Sequence, residues 1–485
     1  MKLFMKNIVE SLFESALSSP EENMYVDDIG SLTYTEGLDL VKKIACYLNK
    51  KDIKNQPILV PVERNKNTLL IFLGIALSGN CYVPVSSDVK EERLKDIIAI
   101  ANIKYAFGFE NAKIDQLSFT DAIKEGVDEE VIKRFLIDFD ENSPLYIMFT
   151  SGSTGKPKGV VKSHKNMISF VENFLETFSL SNNMKLCNQT PFYFDASSKD
   201  IYLSLAMEST LYIPDSSLFV LPNKILQYLV DNEIDMIMWV PSALINIAKI
   251  RALNFIKPTS LKYVFFIGEV FPPKYLNMWI TALNETKFVN LYGSTETAGA
   301  VLYYEIKDKV SEDKMIPTGK PLKNVKVKLD DGEICIASLQ VALGYLNEEE
   351  KNKETFRNED GEIYLHTGDY GEYDDEGNIV FKSRKDYQIK HLGYRIELQD
   401  IENTLSSLDY IDRCCCLYDK MKDKIILLVS LSSFNDVKES DIINDAKRLL
   451  ATYMIPNRVI ILEKMPLNSN GKIDRVKLNH DYVEK

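Results

Sequence analysis

The residues from Leu145 to Val160 hold a dense set of groups able to bind an anion. They read Leu-Tyr-Ile-Met-Phe-Thr-Ser-Gly-Ser-Thr-Gly-Lys-Pro-Lys-Gly-Val. An apolar run leads into Gly152, Gly155 and Gly159, the hydroxyl residues Thr150, Ser151, Ser153 and Thr154, and the cations Lys156 and Lys158. Glycines let a backbone turn tightly and bring its N–H groups toward an anion. Hydroxyl donors and two ammonium groups complete a chemistry suited to a polyphosphate. The pattern is not GxxxxGK[ST], because no Ser or Thr follows a Gly-Lys pair. Gly/Ser-rich loops are ordinarily linkers, but this one follows a run that reads as a buried strand.

Four other places combine chemistry with a turn. Asn290-Leu-Tyr-Gly-Ser-Thr-Glu296 gathers an amide, an aromatic ring, a hydroxyl and a carboxylate around one glycine. Such groups can bond an exocyclic amine, stack on a base and hold Mg²⁺ bridged to phosphates; the plainer reading is a loop. Asp369 follows a Thr-Gly turn, where one carboxylate can accept from two vicinal hydroxyls or serve only as a turn residue. Asn470-Gly471-Lys472 is an Asn-Gly turn presenting a lysine that could simply be exposed. Asp195 follows Tyr193-Phe194 in apolar surroundings, where a carboxylate is costly unless a cation pairs with it. Its alternative role is a helix N-cap, with Ala196-Ser197-Ser198 opening the helix.

Positioning these groups falls to alternating strands and helices. Short apolar runs at Pro57–Val62, Tyr105–Phe107, Leu145–Thr150, Ile234–Val240 and Tyr263–Ile267 alternate with helical patterns such as Asn67–Leu77 and Lys224–Val230. That alternation predicts α/β units with parallel sheets. After about Val325 the pattern changes to short strands with hairpin signals at Asp330-Asp331-Gly332 and Asp374–Gly377. The charged stretch Ser383–Asp386 reads as a linker. Beyond it, helices are predicted over Glu397–Leu408 and Asp441–Leu450, with strands over Arg413–Tyr418 and Lys424–Leu431.

Length and composition set outer limits. The 485 residues exceed one ordinary core, so two or three units are expected. Hydrophobic residues at 45% and charged residues at 27% are globular values. A formal net charge of -13 disfavours nonspecific nucleic-acid binding. No signal peptide is apparent, and the run Leu69–Leu77 is too short to span a bilayer, so no membrane insertion and a cytoplasmic location are expected. Cys46, Cys81, Cys187, Cys335, Cys414, Cys415 and Cys416 include no CxxC pair, and the consecutive three would alternate faces on a strand. They read as reduced core cysteines, and no protein-held zinc site is expected.

The phosphate loop resembles the signature of the adenylate-forming superfamily: acyl-CoA synthetases, luciferases and the adenylation domains of nonribosomal peptide synthesis. Matching segments follow in the family's order over almost the whole chain. They are Leu32-Thr-Tyr34, Tyr82-Val-Pro-Val85, Phe194-Asp-Ala-Ser197, Asn290–Glu296, His366-Thr-Gly-Asp369, Ser383–Leu398 and Asn470-Gly-Lys-Ile-Asp474. The resemblance implies a large N-terminal α/β region with parallel sheets and a β-rich subdomain over 1–383. It further implies a hinge at 384–387 and a small mobile α+β C-terminal domain over 388–485.

By the same resemblance, ATP is held by Thr150, Ser151, Gly152, Ser153, Thr154, Gly155, Lys158, Gly268, Glu269, Asn290, Leu291, Tyr292, Gly293, Ser294, Asp369, Arg384 and Lys472. Asn290 and Tyr292 take the adenine, with the Gly268-Glu269 turn along its other face. Thr295 meets the phosphates, Glu296 the magnesium, and Asp369 the ribose with Arg384 as partner. Lys472 swings in to contact the carboxylate and α-phosphate, which makes Lys472, Glu296 and Thr295 the catalytic set. Ser294 stands where the amino-acid-activating branch commonly has Pro. Asp195 selects that branch by holding a substrate ammonium. Pocket residues are Ala196, Lys199, Met238, Phe265, Ile267, Leu291, Gly299 and Ala300. Lys199 either faces a polar or acidic substrate side chain or snorkels to solvent. The hinge is Asp386, and Gly393 lines the thiol path; the family often has Arg where this chain has His391.

The implied function is ATP-dependent activation of an amino acid, with Mg²⁺, followed by thioester transfer to the phosphopantetheine arm of a carrier protein. AMP and pyrophosphate are released. The organisation is similar to free-standing amino acid adenylation enzymes such as the D-alanine–carrier protein ligases. An acyl- or aryl-CoA synthetase using coenzyme A is the alternative enzyme. Luciferase-type oxygenation has no motif in its favour, and a degenerate binding protein conflicts with the presence of Lys472, Glu296 and Asp369.

Overall fold

The computed structural model describes residues 6–109, 112–150, 157–312, 314–384, 388–432, 437–467 and 473–484. Ser151, Gly152, Ser153, Thr154, Gly155, Asp386 and Lys472 of the expected site lie outside them. The chain divides into two compact units. The first comprises Met1–Ser87, Ile98–Met148 and Gly159–Ser383; the second comprises Asp88–Ile97, Phe149–Lys158 and Arg384–Lys485.

The first unit carries two large sheets. One has nine strands, ordered Lys320–Pro321, Leu302–Ile306, Lys287–Tyr292, Tyr263–Ile267, Met236–Trp239, Lys185–Cys187, Thr210–Ile213, Asn23–Asp27 and Gly30–Thr33. The six strands from Lys287–Tyr292 to Asn23–Asp27 are parallel, as the alternation of apolar runs and helices predicts. The other has seven strands, ordered Gly344–Tyr345, Lys158–Ser163, Pro144–Thr150, Cys81–Ser86, Pro57–Val62, Tyr105–Phe107 and Asp115–Leu117. One face of each sheet shares a hydrophobic cluster with the helices Lys66–Leu77, His164–Phe178 and Ser198–Ala206. Lys66–Leu77 is apolar on all sides and is buried from Thr68 onward, which is what such a helix must do in water. Ser163 and Asn166 form a capping box that starts His164–Phe178.

A five-stranded sheet follows in the same unit, with Glu333–Ala337 and Glu362–Tyr373 at its centre. Asp331 (φ 47°) and Gly332 (φ 84°) make its first hairpin turn, the left-handed pair an Asp-Gly signal predicts.

In the second unit, Ile411–Asp419, Lys424–Leu431 and Arg458–Leu462 form a three-stranded sheet. Strand alternation sends Cys414 and Cys416 into one core and Cys415 into another. Every cysteine of the chain is buried and free. The hairpin of Gln388–His391 and Tyr394–Glu397 turns on Leu392 (φ 51°) and Gly393 (φ 83°). Among the described residues no helix is long and apolar enough to cross a membrane.

Candidate active site

The segment that delivers Asp195 is anchored by a half-buried arginine. Arg64 donates to the carbonyls of Pro214 (2.6 Å), Gln189 (2.9 Å) and Asn188 (2.5 Å). A chain pinned there runs through Tyr193-Phe194 into a 3₁₀ turn, Asp195–Ser197, that opens Ser198–Ala206. The residue capping that turn is Phe194, and among the described residues the Asp195 carboxylate takes no backbone N–H. It accepts instead from the phenol of Tyr146, at 2.7 Å. The N-cap alternative for Asp195 is thereby removed. Burial pushes its carboxyl up to about 6, against the pull of Lys162 and of the Tyr146 hydrogen bond. The carboxylate is held ready for a cation, which is the electrostatic setting for a substrate ammonium.

The apolar candidates share one sheet face. Met238 pairs with Phe265, and Ile267 with Leu291. Met238, Phe265, Ile267, Leu291 and Ala300 all belong to one core cluster, while Ile237, Trp239, Val264 and Phe266 fill the core on the opposite face. Gly299, at φ 59°, sits against Phe170, and a Cβ there would meet the ring at 2.3 Å. Lys199 is fully buried, so it does not snorkel to solvent. Its ammonium donates to the Ala196 carbonyl and lies 3.8 Å from Asp200. Asp200 in turn accepts from Asn188.

The loop from Gly293 to Ala300 is fixed by side chains that no motif announced. Gln340 donates to the carbonyls of Ala298 and Ala300, both at 2.8 Å, and its own backbone carbonyl accepts from Ala298. Asn173 donates to the Gln340 amide oxygen, and Asn166 holds the carbonyls of Leu339 and Val341. Gly293 permits this packing, since a Cβ there would lie 2.3 Å from the Gly299 carbonyl oxygen. The loop presents Ser294 and half-buried Thr295 and places Glu296 where Tyr345 donates to it at 2.8 Å. A single buried carboxylate beside hydroxyl groups suits Mg²⁺, which prefers one protein carboxylate plus phosphates and water.

Tyr292 donates to Asp369 at 2.6 Å, so the expected adenine and ribose residues are joined. Asn290 donates to the Pro317 carbonyl at 2.7 Å. Gly268 adopts φ 102° with open space where a Cβ would stand. Glu269 turns away to accept from the backbone of Ser242 in the first turn of Pro241–Lys249. Behind Asp369, Glu333 accepts from the Gly368 N–H and from His366, whose other ring nitrogen faces Glu359. Cys335 and Asp330 complete a group whose ligand-type atoms lie within 4.8 Å of one another and of His366. Sequence spacing did not reveal that cluster; strand register assembles it. Thr150 ends Pro144–Thr150 and Lys158 begins Lys158–Ser163, bracketing the phosphate loop. Arg384 ends Ile379–Arg384. Leu467 and Ile473 form a bridge, and Arg475 donates to Glu402 and to the Cys416 carbonyl. His391 is buried and bonds Asp423 at 2.8 Å.

Residues 12–346 match the model of the AMP-binding enzyme family. The chain belongs to the AMP-binding enzyme family. This AMP-binding enzyme is 30% identical over 486 residues to a D-alanine–D-alanyl carrier protein ligase of Staphylococcus aureus strain JH9, a match covering 98% of this chain and 99% of the relative. Its fold is similar to that of a Vibrio cholerae adenylation domain in complex with glycyl-adenosine-5'-phosphate, with a TM-score of 0.82 at 18% identity over 99% of both chains. It is also similar to o-succinylbenzoate CoA synthetase of Bacillus subtilis, with a TM-score of 0.83 at 20% identity over 97% of this chain and 98% of that one.

Proposed function

We propose that this AMP-binding enzyme activates an amino acid with ATP and loads it onto the phosphopantetheine thiol of a carrier protein. The observation that carries the reading is Asp195: buried, held by Tyr146 and taken by no helix end. The S. aureus relative's name makes D-alanine the first substrate to test.

In the first half-reaction a carboxylate oxygen attacks the α-phosphorus, and the bond from that phosphorus to the pyrophosphate oxygen breaks. The chain's contribution is placement. Asp195 holds the ammonium, so the carboxylate points at the phosphate rather than rotating freely. Tyr292 and Asp369 fix the nucleoside, and the loop ending at Glu296 fixes the phosphates. Glu296 would hold a magnesium ion, which when bound would supply counter-charge to the phosphate oxygens. Lys472 adds a cation where negative charge develops. In the second half-reaction the thiol sulfur bonds to the acyl carbon, the bond from that carbon to the AMP phosphate oxygen breaks, AMP leaves as its phosphate anion, and the thiol proton passes to solvent. Rotation about Asp386 withdraws Lys472, and the hairpin at Gly393 lines the approach of the arm.

The test is amino-acid-dependent exchange of pyrophosphate into ATP with a substrate panel, then loading of a phosphopantetheinylated carrier against coenzyme A. Exchange with D-alanine, abolished by EDTA and restored by Mg²⁺, followed by carrier loading, is the expected result. Exchange only with acids lacking an amine, or transfer only to coenzyme A, overturns it.

A further inference from the structure

Strand Lys158–Ser163 lies between Gly344–Tyr345 and Pro144–Thr150 in the seven-stranded sheet. Each neighbour carries a tyrosine that holds one carboxylate of the site: Tyr146 donates to Asp195 and Tyr345 to Glu296. Strand alternation puts Lys162 on the face of Val160, which packs against Tyr345. Lys162 is fully buried, and its ammonium has no hydrogen-bond partner among the described residues. Asp195 and Glu296 are the carboxylates whose charge acts on it; burial lowers its proton affinity to about 8 against their pull.

A buried ammonium with no hydrogen bond is costly, and a carbon chain of the same length would pack there without that cost. Lys199, the comparison within the same unit, is satisfied by the Ala196 carbonyl and the nearby Asp200. Of the two, Lys162 alone makes no hydrogen bond among the described residues. Its strand stands between the two strands whose tyrosines hold the carboxylate assigned to the substrate ammonium and the carboxylate assigned to the phosphates. The group that belongs between those positions in a bound amino acid is its own carboxylate.

We propose that Lys162 is a substrate-binding residue whose ammonium receives the carboxylate of the amino acid while Asp195 receives its ammonium. The inference rests on the reading of Asp195 given above. A zwitterion then inserts between two buried charges of opposite sign, each charge gains an opposite partner, and no net charge is buried. Recognition of both ends follows, so amines without a carboxylate and acids without an amine are both rejected. Lys162 belongs to the unit that holds Asp195, so it does not depend on Lys472 for this contact.

The experiment measures binding of D-alanine, D-alaninol and propionate to the full-length enzyme by calorimetry, or of the same trio built on whichever amino acid best supports exchange. The variants are K162M, K162Q, D195A and K472A. In K162M and K162Q the preference for the acid over the amino alcohol falls at least about tenfold, the loss of one hydrogen bond to a charged group. The preference for the amine-bearing acid over propionate persists in them, and KM for the amino acid rises more than kcat falls. D195A shows the reverse pattern of preferences. In K472A, which leaves position 162 untouched, the preference for acid over alcohol is retained; this arm decides if neither Lys162 variant folds. Unchanged preference for the acid in K162M, or its loss in K472A, overturns the proposal. An unchanged amine preference in D195A instead overturns the reading of Asp195.

Discussion

Tyr292 donates its phenolic hydrogen to Asp369 across 2.6 Å. The bond ties the last residue of Lys287–Tyr292 in the nine-stranded sheet to the centre of Glu362–Tyr373 in the five-stranded sheet. Two groups assigned to the nucleoside are thus set by each other rather than by their loops. A hydrogen bond to a charged acceptor contributes about 1.5–3 kcal/mol. Tyr292→Phe is therefore expected to raise KM for ATP by about tenfold or more and to leave the ranking of amino acid substrates unchanged. Exchange kinetics at varied ATP check this. An unaltered KM for ATP contradicts the coupling.

Gln340 is predicted to matter as much as any motif residue for the shape of the loop to Glu296. Gln340→Ala strips the donor from two buried carbonyls, Ala298 and Ala300, and the acceptor from Asn173. Each buried group left unpaired costs about 1–3 kcal/mol. Chemical denaturation is expected to show a clear loss of stability, with exchange activity reduced more than nucleotide binding. Stability within about 0.5 kcal/mol of wild type would show that the clamp is not needed.

The contrast between Gln340 and Asp195 marks what a sequence can disclose. Asp195, Glu296 and Asp369 sit in short contiguous motifs whose chemistry can be read locally. Parallel strands such as Pro57–Val62 and Tyr263–Ile267 were legible because each is an apolar run, whereas Asn23–Asp27 and Lys185–Cys187 mix polar residues into short strands and were not. Tyr146 and Tyr345 reach carboxylates 49 residues away, Asp195 and Glu296, and Gln340 reaches carbonyls 42 and 40 residues away, at Ala298 and Ala300, so only the tertiary fold brings them to their partners. One signal was present: in Lys158-Gly-Val-Val-Lys-Ser163 a charge falls on an inward strand position, which period-two counting exposes. The Glu333–His366–Glu359 brace gave no local sign, since its members come from three strands.

Gly393 is expected to be required for its backbone as well as for access. It stands at φ 83° after Leu392 at φ 51°, in the two-residue turn joining His391 to Tyr394. A side chain in the left-handed region costs about 1–2 kcal/mol. Gly393→Leu is predicted to keep pyrophosphate exchange and to lose carrier loading, with Gly393→Ala intermediate. Measuring the two half-reactions separately checks it; equal impairment of both contradicts an arm path along this hairpin.

The pH dependence follows from Asp195. Its carboxyl titrates near 6 in the unliganded enzyme because burial raises it. Holding an ammonium requires the ionised form, so kcat/KM for the amino acid is expected to fall as pH drops through about 6. Tyr146→Phe removes a hydrogen bond that favours the ionised form, so the acidic limb should move to higher pH. A limb that stays in place, or moves down, refutes the link between Tyr146 and Asp195.

The most direct test of an amino acid substrate is Asp195→Ala assayed by pyrophosphate exchange with D-alanine and with propionate, alongside ATP binding. Removing the partner of a buried charge costs about 3–5 kcal/mol, so D-alanine-dependent exchange should fall by about two to four orders of magnitude. ATP binding should persist, and the preference for D-alanine over propionate should disappear. Wild-type exchange with D-alanine in Asp195→Ala, or an undiminished preference for it over propionate, would contradict the assignment of Asp195 to the substrate ammonium.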